Sequence, residues 1–109
     1  SSPEPDIAWV KLQRYAQQHP RPSDVSLLME VSVSSQSFDR GEKCRLYAEA
    51  GIKEYWIIDV ETQTIEVMTL PTVAAYQNTK VYGRGDAVSP LCLPTAKLEV
   101  ARLFSGSVM

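Results

Sequence analysis

The chain has 109 residues, of which 44% are hydrophobic, and a formal net charge of −2. This composition fits one small globular domain over residues 1–109 and argues against disorder. No apolar run approaches the roughly 20 residues that cross a bilayer, and residues 1–20 lack the basic start and apolar core of a signal peptide.

The counts of reactive residues narrow the class of protein further. Two cysteines do not make a disulfide framework, and a single histidine gives little support to a His-based metal site or a Ser-His-Asp triad. We therefore expect a reduced, cytoplasmic protein with no membrane segment. The acidic balance speaks against a nonspecific DNA binder, since such proteins are usually basic.

The N-terminal part of the chain is predicted to form two strands. Residues 7–12 read as a short strand with Asp6 at its start, and residues 13–24 read as a polar connection. Residues 26–34 form a longer strand, and alternation puts Glu30 on the face opposite to Met29. Glu30 is ambiguous by itself: a solvated strand face gives the same pattern, whereas a buried carboxylate needs compensation.

The strongest helix signal follows this second strand. Asp39 is a good N-cap, Glu42 completes a capping-box pattern, and Gly51 supplies a C-terminal stop. One face carries the i, i+3, i+4, i+7 positions Lys43, Leu46, Tyr47 and Ala50. This spacing predicts that Lys43 points inward; the alternative is a stem along the core edge with its ammonium in water.

The rest of the sequence is predicted to be mainly strands. Residues 54–60 read as a buried strand, so that strand, helix and strand make a βαβ unit with parallel strands and a right-handed crossover. Residues 64–70 and 74–82 read as further strands. Short elements then lead to a terminal segment at 98–104.

Asp6, Glu30 and Lys43 form a candidate catalytic site. If strands 7–12 and 26–34 pair as an antiparallel hairpin, the two carboxylates come close and repel unless a cation lies between them. Such oxygen ligands suit Mg²⁺ or Mn²⁺ together with substrate phosphate oxygens. A neighbouring lysine can stabilise a pentacovalent phosphate or orient the attacking water. This combination predicts metal-dependent phosphodiester hydrolysis.

The segments around these residues resemble a known family. The resemblance is carried by Pro5-Asp6, by residues 24–35, by Asp39 to Lys43 with Tyr47-Ala48, and by residues 51–59. It continues through residues 65–67 and Tyr76 to Ser89-Pro90 and Leu103-Phe104, so it covers essentially the whole chain. These segments are similar to the Uma-type restriction endonucleases, a former domain of unknown function in the PD-(D/E)XK nuclease superfamily. The block from Glu30 to Asp59 is specific, whereas Pro-Asp alone is weak.

The resemblance implies an α/β fold with a restriction-endonuclease-like three-layer core and a mixed central β-sheet. It also implies a Mg²⁺- or Mn²⁺-dependent endonuclease acting on DNA. By the family pattern, Asp6 and Glu30 are the metal ligands and Lys43 is the catalytic lysine. Ser32 stands where the superfamily pattern has its lysine, and Lys43 matches a lysine that has moved to the following helix. Tyr47 can help to position the site, although core packing explains it equally well.

The sequence departs from the family at its N-terminus. Family members usually carry further N-terminal helices and a first strand with an additional glutamate, whereas this sequence starts just before the Pro-Asp motif. A core without that strand leaves strand 7–12 with an unpaired edge. We therefore expect a second copy of the chain to cover this edge in a homodimer.

Two alternatives to a nuclease stay open at this point. One is a nuclease-fold module that binds or assembles without cutting, which the acidic charge favours. The other is an unrelated α/β domain in which Glu30 and Lys43 form a surface ion pair of little value. Candidate phosphate contacts, chosen by charge and by their neighbourhood in the sequence, are Lys11, Arg14, Arg40 and Arg45.

Overall fold

The computed structural model describes residues 7–10, by their backbone, and residues 25–33 and 40–104. The elements in these ranges are β1 (Ile7–Val10), β2 (Val25–Ser32), α1 (Arg40–Glu49), β3 (Glu54–Asp59), β4 (Thr64–Pro71), β5 (Tyr76–Tyr82), β6 (Ala87–Val88), β7 (Leu98–Glu99) and α2 (Val100–Leu103). No helix among them is long and apolar enough to cross a membrane.

Five strands form one mixed sheet in the order β1-β2-β3-β4-β5. β2 and β3 are parallel, as expected for strands joined through a helix, and Glu30 lies opposite Ile57. The other neighbours are antiparallel, including the predicted hairpin pair β1 and β2. β6 and β7 pair separately as a small antiparallel ribbon. The predicted parallel pairing within the βαβ unit is therefore confirmed.

Apolar side chains cover both faces of the sheet. The helix-side cluster consists of Leu28, Tyr47, Ile52, Tyr55, Ile57 and Met68. The opposite cluster consists of Leu27, Trp56, Ile58, Ile65, Val67, Val88 and Val100. The first cluster includes a residue of α1, and the second includes residues of β6 and α2. The three layers are thus α1, the mixed sheet, and the β6–β7 ribbon with α2, which confirms the predicted class of core.

α1 ends in a Schellman motif at Gly51. The amide of Gly51 donates to Ala48 O and the amide of Ile52 donates to Tyr47 O, both at 3.0 Å. Gly51 has φ of +82°, a left-handed conformation that residues with a Cβ adopt at a cost. Ile52 and Tyr47 also share the helix-side cluster, as this motif favours, so the predicted stop is confirmed.

The inward face of α1 differs from the prediction in one position. Tyr47 and Ala48 are buried and Lys43 and Cys44 are half-buried, whereas Ala50 is exposed. The helix ends at Glu49, so Ala50 already lies in the turn and no longer follows the helical stripe. Lys43 does lie on the inward side, as predicted. Asp39, the predicted N-cap, is outside the described residues.

Local turns explain where two strands begin or end. β3 stops at Asp59 because its carboxylate Oδ1 accepts from the amides of Glu61 and Thr62, at 2.9 and 3.2 Å. β5 starts at Tyr76, later than the predicted residue 74, because the Thr72 hydroxyl bonds the amide and carbonyl of Ala75. Side-chain bonds of this kind compete with strand pairing.

Replacing Gly51 with alanine is expected to lower the free energy of unfolding by about 1–2 kcal/mol, the cost of the left-handed conformation for a residue with a Cβ. A Cβ at Gly51 meets nothing within 4 Å, so the loss would come from the backbone alone. Urea denaturation measures it. Gly83→Ala is the matched control, because that position also has open space and lacks the positive φ. Equal losses in both variants would contradict the explanation.

Candidate active site

The site is centred on the carboxylate of Glu30. This residue lies in β2 on the face that α1 covers, and only 2% of its surface is exposed. An ionised carboxylate in such a place is costly unless hydrogen bonds and a counter-charge compensate it. The interpretation of Glu30 as a solvated strand residue is therefore wrong.

Within the described ranges, three side chains donate to this carboxylate. Oε1 accepts from Lys43 Nζ at 3.0 Å and from the Tyr55 hydroxyl at 3.1 Å. Oε2 accepts from the Tyr47 hydroxyl at 2.9 Å. Lys43 and Tyr47 come from successive turns of α1, and Tyr55 comes from β3, so the βαβ unit alone assembles the group. Glu30 is compensated by one cation and two hydroxyl donors.

Lys43 connects the buried carboxylate with solvent. Its side chain is 29% exposed, compared with 2% for Glu30. The pair is therefore not a surface ion pair of two exposed side chains, which would be worth little. The ammonium lies at the rim of the site, where an incoming anion can reach it while the carboxylate holds it in place.

Tyr55 stays a hydrogen-bond donor throughout the neutral pH range. Burial, reinforced by the charge of Glu30 and its hydrogen bond, raises the pKa of the Tyr55 hydroxyl far above its usual value. The Tyr47 ring packs edge-on against the Tyr55 ring, with centroids 4.9 Å apart. The Tyr76 ring is tilted by 30° against the Tyr55 ring, with centroids 6.2 Å apart, and its hydroxyl donates to Ile52 O at 2.7 Å. This aromatic packing fixes the direction of both donors to Glu30.

Tyr55 is the site residue that the sequence reasoning missed. It was treated only as part of a buried strand. A signal was available: a tyrosine in a fully buried strand needs a partner for its hydroxyl. Alternation also puts Tyr55 and Ile57 on one face of β3, and Ile57 is the register partner of Glu30.

Asp6, the second predicted metal ligand, lies outside the described residues, and so do Lys11 and Arg14. The strand that follows Asp6 is described, and Ile7 lies opposite Met29, the neighbour of Glu30. Of the other two candidate phosphate contacts, Arg45 is exposed. Arg40 is engaged by Glu66, whose carboxylate raises the pKa of the guanidinium through their hydrogen bond.

The donor set of Glu30 is compatible with one metal bond. A carboxylate offers about four lone-pair positions, and the three donors use both positions on Oε1 and one on Oε2. When only donors from residues 25–33 and 40–104 are counted, one position on Oε2 is left, and it suits a monodentate ligand, as Mg²⁺ uses when it keeps several waters. Within residues 25–33 and 40–104, no group of three or more His, Cys, Asp or Glu could hold a metal. The described part of the site thus supplies one carboxylate ligand.

A second buried carboxylate has a different environment. Glu54 is 1% exposed and begins β3. Its Oε2 accepts from the Trp56 indole at 2.9 Å and its Oε1 from the amide of Leu91 at 2.8 Å. Both donors are neutral, and Trp56 belongs to the opposite cluster. Glu54 therefore ties the segment around Leu91 to the sheet, on the side away from Glu30.

Tyr55→Phe is expected to lower the free energy of unfolding by about 1.5–3 kcal/mol, because it removes a bond to a charged, buried acceptor. Tyr76→Phe is the matched control. It removes a hydroxyl that bonds a neutral carbonyl, so the expected loss is about 0.5–1.5 kcal/mol. Guanidinium denaturation of both variants tests the difference. A loss for Tyr55→Phe no larger than that for Tyr76→Phe would show that Glu30 does not depend on this donor.

Comparisons with solved structures agree with the fold. A structure of a putative nuclease belonging to DUF820 from Anabaena variabilis is similar to this chain, with a TM-score of 0.57 and 21% sequence identity. The match covers 74% of this chain and 44% of that chain, so this chain spans less than half of that protein's length. At this identity the likeness shows a shared fold.

Comparisons with sequences identify the family. A search of curated proteins gave no match. The profile of the Uma2 family, whose description is putative restriction endonuclease, matches residues 1–101. That range covers nearly the whole chain and includes Glu30, Lys43, Tyr47 and Tyr55. The chain belongs to the Uma2 family of putative restriction endonucleases.

Proposed function

We propose that the protein is a Mg²⁺- or Mn²⁺-dependent endonuclease that hydrolyses DNA phosphodiester bonds. The observation that carries the proposal is the buried Glu30 carboxylate with the Lys43 ammonium 3.0 Å away at its solvent-facing rim. Membership in a family of putative restriction endonucleases supports the same reaction class. DNA as the substrate, the divalent metal and the cutting itself are parts of the proposal.

Glu30 and Asp6 are the proposed metal ligands. The donors from the described part of the chain leave one acceptor position on Oε2, while Lys43 and the two tyrosines fix the orientation of the carboxylate. Asp6 directly precedes Ile7, and the antiparallel pairing of Ile7 with Met29 supports a second carboxylate beside Glu30. A divalent ion bound there would polarise the scissile phosphate and lower the pKa of a bound water.

Lys43 is the proposed electrostatic catalyst. Its ammonium is held by Glu30 and partly open to solvent, so it can meet a phosphate without losing its counter-charge. Negative charge increases on the phosphate oxygens during hydrolysis, and a preorganised cation stabilises that charge more in the transition state than in the ground state. Tyr47 and Tyr55 act on Glu30 and are positioning residues.

The cleavage assay compares wild type with Glu30→Gln and Lys43→Met on plasmid DNA in the presence of Mg²⁺ or Mn²⁺. We expect cutting by wild type and a loss of at least about 100-fold in each variant, since each removes a group that stabilises transition-state charge. Lys53→Met is the control for the lysine, because Lys53 is exposed on the loop after α1. Glu54→Gln is the control for the glutamate, because Glu54 is equally buried on the other face.

The outcomes separate the candidate functions. Wild type that cuts no DNA but binds it in a salt-sensitive way would replace the enzyme with a nuclease-fold binding module. Cutting that survives Glu30→Gln would remove Glu30 from the site. Crystals soaked with Mg²⁺ or Mn²⁺ add a readout independent of turnover. We expect the ion to bind between Asp6 and Glu30. A Mg²⁺ ion would lie about 2.1 Å from the carboxylate oxygens.

The homodimer is part of the same proposal. β1 is an outer strand of the sheet within the described residues, and an exposed strand edge is a template for pairing with another chain. We expect sedimentation velocity at micromolar concentration to give the mass of two chains. A single species with the mass of one chain would remove this proposal without affecting the nuclease proposal. The cytoplasmic location expected from the cysteine usage stays a prediction.

A further inference from the structure

We propose that the ion pair between Arg40 and Glu66 is a positioning element that holds Lys43 against Glu30. The inference deepens the proposed nuclease function, because it assigns a role to two residues that touch neither Glu30 nor a proposed metal. Only the expected effect of the ion pair on catalysis rests on the proposed function. The geometric part of the inference concerns where Lys43 is held and can be tested without DNA.

The sheet presents two carboxylates to α1 in one row. Glu30 on β2 lies opposite Ile57 on β3, and Ile57 lies opposite Glu66 on β4. Side chains directly opposite one another in a sheet project from the same face. Adjacent strands are about 4.8 Å apart, so residues in this row that are two strands apart are separated by about 10 Å. The sheet therefore fixes the positions of Glu30 and Glu66 beneath the start of the helix.

The first turn of α1 carries a cation for each of these carboxylates. Arg40 and Lys43 are three residues apart and thus lie on the same side of the helix. Arg40 Nε donates to Glu66 Oε1 at 2.7 Å, and its Nη2 donates to Glu66 Oε2. Lys43 Nζ donates to Glu30 Oε1 at 3.0 Å. The start of the helix is thereby attached to β2 and to β4 at once.

The two attachments differ in geometric precision. The guanidinium of Arg40 engages Glu66 with two parallel bonds, which fix orientation as well as distance. The ammonium of Lys43 is a point charge on a flexible stem and fixes neither by itself. The apolar anchors of α1, Tyr47 and Ala48, lie in its later turns. Cys44 also contacts β4, through Met68 Sδ at 3.2 Å. The fork of Arg40 on Glu66, in contrast, fixes orientation with two bonds in the first turn, from which Lys43 extends.

The solvent exposure of the Arg40–Glu66 pair indicates that the pair affects the geometry of the site more than the stability of the fold. The Arg40 side chain is 54% exposed and that of Glu66 is 17% exposed. Solvent screens the guanidinium, the more exposed partner, so the contribution of the pair to folding is expected to be modest. A small displacement of a catalytic group, in contrast, can reduce the rate by about 100-fold. Removing the pair is therefore expected to change the site much more than the stability of the fold.

The test measures the chemical accessibility of Lys43 by reductive methylation at fixed pH, with mass-spectrometric readout of each lysine. We expect Arg40→Gln and Glu66→Gln each to increase the methylation rate of Lys43 several-fold, while Lys53 and Lys80 keep their rates. The charge reversal Arg40→Glu with Glu66→Arg is expected to restore protection. Arg102→Gln is the matched control, because Arg102 forms an exposed ion pair with Glu99 at 3.7 Å, away from the site.

An unchanged methylation rate of Lys43 in both single variants would overturn the inference, and so would an equal increase in the Arg102→Gln control.

If wild type cuts DNA, we expect the single variants to lower kcat about ten- to hundredfold with little change in KM. The charge reversal is expected to recover part of this loss. If wild type does not cut, the proposed function fails while the methylation result still decides the positioning role. A near-normal urea midpoint in Glu66→Gln supports a local effect, and a collapsed midpoint would contradict it.

Discussion

The structure depends on the compensation of one buried charge. Glu30 is buried on the face of the sheet that α1 covers, and its removal from water is costly unless donors replace the solvent. One ammonium and two phenol hydroxyls do so. This requirement explains why α1 packs with Lys43 and Tyr47 toward β2, and why a tyrosine occupies a fully buried position of β3. The same contacts between α1 and Glu30 therefore hold the helix on the sheet and build the candidate site.

Glu30 and Glu54 show that burial alone does not determine the environment of a carboxylate. Both are almost completely buried, and both lie on strands of the same sheet. Glu54 is satisfied by an indole and a backbone amide, donors that tie two segments together. Glu30, in contrast, has a cation at the solvent boundary together with two hydroxyl donors. The difference lies in the partners, which the surrounding elements supply.

Much of the fold followed from the sequence because its signals are local. Gly51 marked the end of α1, and a helix between two strands implied their parallel pairing. Glu30 and Lys43 were assigned from the family resemblance and from the helical stripe. The role of Tyr55 could not be assigned in this way. It depends on the register of β3 against β2, which alternation within one strand does not reveal. The pairing of Arg40 with Glu66 was also missed, since it joins residues 26 positions apart.

The donors to Glu30 come from a short stretch of chain, at separations of 13, 17 and 25 residues. Loop closure over such distances costs little conformational entropy, and contacts of low sequence separation form early in folding. The bond from Leu91 to Glu54 spans 37 residues, so closing it costs more chain entropy. The βαβ unit is therefore suited to form as a cooperative folding unit of its own, which contains Glu30 and its three donors.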